Sequence, residues 1–326
     1  MTHRYSKLAA RIVAGCVFLG SAIASISHAQ EKYPAKPITL VVPYAAGGTT
    51  DIIARLLGKE MTDKTGVAVV IDNRPGANTN IGAEWVARAK PDGYTLLFGT
   101  GGQVINPIFG PYPSIPLGEA LDPVSLVSSQ AFVIAARPNA PFNTAKDYLE
   151  EVKKKPGKYS ISSAQLDLYV ALVKKAAGIN ILHVPYKGGA PSLLAVMSGE
   201  VDTGFTLVPA GISHFKAGKL KPIAVTTKDR QESLPDTAAL SEAGVNIDLS
   251  SWYGLFVPKG TPKSIVNDLA TLTKDIMSQD RIKKQLQEMG AASKWSTPEE
   301  LRDAMSAEKK QWEQLAKDSP DLVRPK

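Results

Sequence analysis

The chain has 326 residues, a formal net charge of +7 at pH 7 and one cysteine, Cys16. That length is enough for two domains. The basic excess is mild, and no basic block is interleaved with aromatic side chains, which argues against a nucleic-acid-binding protein.

Residues 1–29 are typical of a secretory signal peptide. Arg4, Lys7 and Arg11 precede an uncharged, mostly apolar run at 12–26, which is shorter than the roughly 20 residues that a membrane span needs. This favours a cleaved signal over an uncleaved anchor, and we expect cleavage before Gln30. The mature periplasmic chain would keep 297 residues, a charge of +4 and no cysteine, so its stability must come from its core.

Short β-rich runs alternate with helical stretches along the chain, which predicts an α/β fold with a largely parallel sheet. The predicted strands are 38–42, 67–71, 95–98, 132–136, 159–162, 181–184, 201–206, 223–226 and 253–257. The predicted helices are 51–64, 81–90, 144–154, 166–177, 190–198, 212–217, 262–278 and 298–315. Thr297 and Glu300 form a capping box at the last helix. Residues 100–123 hold five prolines and are expected to be loop-rich.

A glycine-bearing turn joins the first predicted strand to the first helix. Its residues are Tyr44, Ala45, Ala46, Gly47, Gly48, Thr49, Thr50 and Asp51. Backbone N–H groups at such a helix start favour an anion, and we expect Asp51 or Thr50 to cap the helix. The turn lacks the Walker ending and the Gly-x-Gly-x-x-Gly pattern, so a carboxylate fits better than a phosphate. From this pattern alone, an ordinary strand-to-helix turn is an equal alternative.

Three further loops follow predicted strands, where open α/β sheets bind ligands. They are Thr100, Gly101, Gly102 and Gln103 with Gly99 before them, Ser162, Ser163 and Gln165 with Ala164 between them, and residues 185–189. These loops are rich in neutral hydrogen-bond donors, and none offers a nucleophile with a partner base. His183 is expected to be structural and His214 to lie on a helix surface, and no ligand spacing indicates a metal site. We therefore expect no cofactor and no catalytic residue.

Together these segments resemble the Bug receptors, the extracytoplasmic solute-binding proteins of tripartite tricarboxylate transporters. The opening block reads Val-Pro-Tyr-Ala-x-Gly-Gly-Thr-Thr-Asp at 42–51. The other matching blocks are 33–38, 73–78, 81–82, 90–96, 183–188, 198–202, 252–255 and 258–262. The resemblance covers residues 33–315, and the blocks are specific when taken jointly.

The resemblance implies a two-lobed α/β periplasmic binding protein of the type II kind with its cleft between the lobes. Lobe 1 would comprise 30–129 and 251–326, lobe 2 would comprise 130–250, and the chain would cross near Ser129 and Ser250. The implied function is capture of a small organic acid, a dicarboxylate or an aromatic carboxylate, by a monomer that delivers it to inner-membrane transporter subunits. An exported enzyme acting on a carboxylate, or a ligand sensor, is the alternative.

In the family, the turn after the first strand holds a carboxylate through backbone groups and water. Here that role would fall to 45–50, with 100–103 joining it and Ser162, Ser163 and Gln165 facing it. The chain departs from the family at Ala46, where proline is usual, and at 237–239, which replaces Val-Pro-Thr. The segment 162–167 also lacks the usual glycine-rich arm and histidine. We therefore expect a roomier cleft that prefers larger or aromatic acids to C4 acids.

Overall fold

The computed structural model describes residues 33–109, 117–164 and 166–320, and residues from Lys36 onward form one compact unit. The predicted signal peptide and Cys16 lie outside the described residues. The strands are β1 Ile38–Val42, β2 Val69–Asn73, β3 Thr95–Thr100, β4 Leu121–Ala136, β5 Ser160–Ala164, β6 Leu182–Tyr186, β7 Thr203–Leu207, β8 Lys221–Val225, β9 Ser250–Pro258 and β10 Ala292–Ser293.

Helices fill most of the connections between these strands. They are α1 Thr49–Thr65, α2 Asn80–Ala87, α3 Gly102–Phe109, α4 Leu117–Ala120, α5 Ala145–Lys154, α6 Asp167–Ala177, α7 Gly189–Ser198, α8 Val208–Lys216, α9 Lys263–Met277, α10 Asp280–Glu288 and α11 Pro298–Asp318. The capping box expected for α11 is confirmed, because Thr297 Oγ1 accepts from the Glu300 N–H at 3.1 Å and the Glu300 carboxylate accepts from the Thr297 N–H at 2.8 Å.

The sheet has two halves. In the first half the strand order is β2-β1-β3-β9-β4, and in the second half it is β4-β7-β5-β6, while β8 and β10 also pair with β4. The pairs β1–β2, β1–β3, β5–β6 and β5–β7 are parallel. All the pairings of β4 and β9 are antiparallel. The largely parallel sheet expected from the sequence is therefore wrong, because two long strands run against their neighbours.

Strand β4 belongs to both halves of the sheet. Up to Ala131 it pairs with β9, and from Phe132 it pairs with β7 and β8. The chain returns to the first half just before Ser250, where the Leu249 N–H still donates to the Thr226 carbonyl of the second half at 2.9 Å. The two strands that connect the halves thus lie side by side.

Each half of the sheet supports its own apolar core. Leu97 and Phe256 lie in a fully buried cluster beside the first half. Phe132 and Phe205 stack at 5.2 Å in a second cluster beside the other half. Burial of such aromatic side chains contributes about 1.5–3 kcal/mol each.

Helices α3 and α11 contribute to both cores. Val104 of α3 and Met305 of α11 lie in the first cluster, whereas Phe109 and Trp312 lie in the second. The sequence prediction for residues 100–123 was wrong on this point, because it placed loops where α3 and the first part of β4 are found. Within the described residues, no helix combines the length and apolarity needed to cross a membrane.

Candidate functional site

The turn between β1 and α1 presents bare backbone to solvent. Ala45, Ala46, Gly47 and Gly48 are exposed, and α1 begins at Thr49. Gly47 has a φ of +84°, a left-handed conformation that glycine adopts without strain. Gly48, the residue before the helix, is extended, with φ −79° and ψ 168°, and supplies no side-chain cap. The helix start is therefore open to an external acceptor.

The first backbone donors of α1 have no acceptor within the helix. The Ile52 N–H donates to the Gly48 carbonyl at 3.0 Å. The N–H groups of Thr49 and Thr50 precede it, and a helix offers no internal acceptor to its first N–H groups. The positive end of the helix dipole lies at the same place. This arrangement suits an anion that accepts several hydrogen bonds, such as a carboxylate.

Asp51 lies beneath the turn, with 2% of its surface exposed. One carboxylate oxygen, Oδ2, accepts from the Gly47 N–H and from Arg55 Nε, both at 2.9 Å, and Oδ1 accepts from Asn73 Nδ2 at 2.9 Å. Burial would raise the pKa of Asp51, but the hydrogen bonds from Arg55, Gly47 and Asn73 outweigh it and hold the pKa below its ordinary value. Both oxygens are thus occupied, and Asp51 fixes the shape of the turn.

The expectation that Asp51 or Thr50 caps α1 is wrong. The helix starts two residues earlier than predicted, so Gly48 occupies the cap position. Asp51 reaches back to the turn from the third helical position, and Thr50 Oγ1 donates to the Tyr253 hydroxyl at 3.2 Å. Burial raises the pKa of Tyr253, so this phenol stays protonated. Both side chains anchor the turn to the first half of the sheet.

Tyr44 connects the turn to the loop after β3. Its hydroxyl lies 3.2 Å from Thr100 Oγ1, and its carbonyl accepts from Asn73 Nδ2 at 3.1 Å. Thr100 pairs with Tyr253 across β3 and β9, so the side chains of Thr100 and Tyr253 share one face of the sheet. The structure therefore brings two of the expected ligand loops, 44–51 and 100–103, together.

The loop after β3 is held by its own side chain and by Trp252. Gln103 Oε1 accepts from the Thr100 N–H at 2.9 Å, and the Gly101 N–H donates to the Trp252 carbonyl at 3.3 Å. Gln103 is 3% exposed, and its Nε2 has no hydrogen-bond partner within the described part of the chain. A buried amide donor of this kind needs a water molecule or a ligand oxygen. The Gln103 amide group therefore has a donor to spare, and its place in a ligand site stays a prediction.

Asn73, Asn78 and Asn106 support the first-half loops, and the sequence reasoning gave them no role. Asn78 Nδ2 donates to Asn106 Oδ1 and Asn106 Nδ2 donates to the Asn78 carbonyl, both at 2.6 Å. Ala77, Asn78 and Thr79 all have positive φ, between 45° and 76°. The sequence did contain an indication of this role. Asn73 and Asn78 lie in a block that matches the family, and asparagine tolerates a left-handed backbone in turns.

In the second half of the sheet, the expected ligand side chains are occupied internally. Ser162 Oγ accepts from Ser192 Oγ at 2.8 Å and donates to the Ser192 carbonyl at 3.2 Å. Ser163 Oγ lies 2.8 Å from His183 Nε2. Both serines are fully buried on β5. Gln165, the third residue expected there, lies outside the described residues.

Ser163 does contact a base, which the sequence reasoning missed because 20 positions separate it from His183. His183 Nε2 also lies 3.5 Å from Asp167 Oδ1. A catalytic triad places the nucleophile and the acid on opposite ring nitrogens, whereas here both face the same nitrogen. The cluster thus lacks triad geometry. Across residues 33–109, 117–164 and 166–320, no group of three His, Cys, Asp or Glu side chains is placed to hold a metal ion.

Comparison with known proteins identifies the family. The protein-family model described as the tripartite tricarboxylate transporter family receptor matches residues 53–319 of this chain. A curated relative from a Pseudomonas species, described as a UPF0065 protein in the tcbD-tcbE intergenic region, is 32% identical over 314 residues, which cover 94% of this chain and 93% of that protein.

Solved structures of periplasmic receptors share the fold. Rpa4515 of Rhodopseudomonas palustris, solved with adipate, is 32% identical with a TM-score of 0.81, covering 87% of this chain and 97% of that one. The periplasmic binding protein BugD is 33% identical with a TM-score of 0.77, covering 88% and 99%. MatC of the same Rhodopseudomonas species, solved with malate, is 27% identical with a TM-score of 0.76, covering 90% and 100%. This chain has their two-lobed α/β fold, and it belongs to the family of tripartite tricarboxylate transporter receptors, which are solute-binding proteins and not enzymes.

Proposed function

We propose that this chain captures a small organic acid between two lobes and delivers it to the membrane subunits of a tripartite transporter. The start of α1 carries the proposal. It offers exposed residues at 45–48 and first-turn N–H groups at Thr49 and Thr50 that have no acceptor within the helix, with no side-chain cap from Gly48. An uncapped helix start of this kind is a site for an anion. Thr100 to Gln103 would supply further donors to the same carboxylate.

A dicarboxylate is the ligand class that the relatives favour. Adipate is bound by Rpa4515 and malate by MatC. The connection between β5 and α6 spans only two residues, 165 and 166, so it has no room for the glycine-rich arm seen in the family. This short connection supports a roomier cleft, and we propose adipate or an aromatic acid as a better ligand than malate.

The lobe limits follow from the two connecting strands. We propose residues 30–129 with 251–326 as lobe 1 and 130–250 as lobe 2. The change of partners within β4 between Ala131 and Phe132, and the start of β9 at Ser250, support these limits. We also propose that the receptor is a monomer, and that it reaches the periplasm after cleavage before Gln30. The mass and the oligomeric state of the protein purified from the periplasm test both points.

A thermal-shift screen tests the proposed function. The exported protein is heated with mono-, di- and tricarboxylates, aliphatic and aromatic, and with phosphates and sugars as controls. A ligand at about 100 times its dissociation constant adds about 2.7 kcal/mol to the free energy of unfolding, which raises the melting temperature. We expect at least one carboxylate to do so. A shift with phosphates or sugars and none with any acid would show that the carboxylate assignment is wrong.

A further inference from the structure

Helix α11 connects the two cores, and one carboxylate lies at the centre of that connection. Its Leu301 and Met305 pack in the first core, and its Trp312 packs in the second. Glu308 lies between them on the helix and is largely buried. Since a carboxylate rarely lies between two apolar cores without partners, its contacts show what it does.

Two tryptophans donate to Glu308. Trp252 Nε1 donates to Oε2 at 2.9 Å, and Trp312 Nε1 donates to Oε1 at 3.1 Å. Burial raises the pKa of Glu308, while these two hydrogen bonds act against the rise. An indole N–H is a donor only, so each tryptophan needs an acceptor if it is buried here. Glu308 supplies both acceptors and thereby fixes the position of both rings.

Trp252 lies against the loop that follows β3. A methyl group placed on Gly101 would come within 2.8 Å of Trp252 Nε1, so the edge of the indole lies directly beneath the Gly101 backbone. The Trp252 carbonyl also accepts from the Gly101 N–H. The position of this ring therefore determines where the backbone of the loop 100–103 can lie.

Trp312 connects the same carboxylate to the second core. Its ring makes edge contacts with Tyr169 of α6 at 5.9 Å and with Phe109 of α3 at 6.0 Å. Burial raises the pKa of the Tyr169 hydroxyl, and the negative charge of Glu308 raises it further. Tyr169 is thus close enough to Glu308 for the carboxylate charge to act on it, and it also packs against Phe132 of the second core at 4.5 Å.

We propose that Glu308 is a positioning residue for the ligand site: it holds Trp252 beneath Gly101 and, through Trp312, ties the loop 100–103 to the core of the second lobe. The proposal rests on the proposed carboxylate function, since 100–103 is part of that site. Movement of the second core relative to the first would displace the loop 100–103. In turn, a ligand bound at this loop would favour one arrangement of the lobes.

The test compares Glu308→Leu and Glu308→Gln with the wild type, and uses Glu313→Gln as the control. Glu313 lies on the same helix but is exposed. Hydrogen exchange of the Gly101 amide is measured by NMR, relative to the amides of Leu40 and Leu97 in the core strands, and adipate affinity is measured by calorimetry. The Leu40 and Leu97 amides report global stability. The ratio of the Gly101 exchange rate to theirs therefore reports local opening of the loop 100–103.

We expect Glu308→Leu to speed Gly101 exchange and to weaken adipate binding, each about tenfold, because the indole N–H groups of Trp252 and of the buried Trp312 lose their acceptor. Glu308→Gln keeps one acceptor and should fall between Glu308→Leu and the wild type. If Glu308→Leu does not fold, Glu308→Gln and Trp252→Phe decide, since Phe keeps an aromatic ring, although a smaller one, and loses the N–H. The proposal is overturned if the folded variants match Glu313→Gln in both measurements. If the wild type binds no acid, the proposed function fails, and the Gly101 exchange ratio still decides the role of Glu308.

Discussion

The turn 44–50 follows the parallel strand β1, and Ser162 and Ser163 lie near the end of the parallel strand β5. Both segments carry hydroxyls, yet they use their polar groups in opposite ways. In the turn, Asp51 accepts from the Gly47 N–H and the Tyr253 hydroxyl accepts from the Thr50 hydroxyl, while residues 45–48 stay exposed. At the strand end, Ser162 and Ser163 are buried and bonded to Ser192 and His183. A hydroxyl-rich segment at the end of a strand is therefore not by itself a ligand-binding surface.

Gly48→Val should have the largest effect on ligand binding. A Cβ at Gly48 meets only the Ala45 carbonyl, at 3.7 Å, and φ is negative, so the fold should tolerate the substitution. The side chain would occupy the space in front of the helix start, and we expect adipate binding to weaken by about 3 kcal/mol, roughly a hundredfold. Calorimetry measures the loss. The control is Gly118→Val, at another exposed glycine without a left-handed φ. Unchanged affinity in Gly48→Val would remove the turn from the site.

Asp51→Ala should destabilise the turn from beneath. It leaves the Gly47 N–H without its acceptor and Asn73 Nδ2 with only the Tyr44 carbonyl, while Arg55, which is half exposed, can turn to water. We expect a loss of about 2 kcal/mol in the free energy of unfolding. Chemical denaturation measures it, and a change below 0.5 kcal/mol, roughly the surface-mutation range, would contradict the role given to Asp51.

The same residue predicts a pH dependence. The folded-state pKa of Asp51 is lowered, so its contribution is present above the unfolded value of about 3.9 and is lost as the pH falls through the folded pKa. We expect the stability difference between wild type and Asp51→Ala to be constant near neutral pH and to shrink below about pH 4. A difference that grows on acidification would have the wrong sign and would contradict this account.

The size of the preferred acid tests how much room the cleft has on the side of the second lobe. If the short connection between β5 and α6 leaves room, adipate or an aromatic diacid should bind more tightly than malate by about 1–3 kcal/mol, from the added apolar surface. Matched titrations with aliphatic and aromatic diacids decide this. Tighter binding of malate would mean that other side chains fill the space.

Ser163→Ala should have the smallest effect on binding. The hydroxyl contacts His183 inside the lobe, so we expect a stability loss of about 1 kcal/mol and an adipate affinity within about threefold of the wild type. Stability and affinity are measured on the same preparation. A large loss of affinity with unchanged stability would place the Ser163 hydroxyl on the ligand.

The sequence predicted most elements and the turn between β1 and α1, because β1 is a clean apolar run and Gly47 and Gly48 separate it from a helix. It missed the first part of β4, since that segment contains Pro123 and the buried polar residues Ser125 and Ser128, which do not follow an apolar pattern. It also missed that Ser163 would contact His183. That contact depends on pairing between β5 and β6, which local spacing does not contain.

The central claim is that the carboxylate is held by the backbone at the start of α1. An NMR titration of the exported protein with adipate tests it directly, because each amide reports its own hydrogen bond. We predict that the amides at 45–50 shift most on saturation, those at 100–103 next, and those of Ser162 and Ser163 least. Saturable binding that leaves the amides at 45–50 unmoved while others shift would contradict the claim.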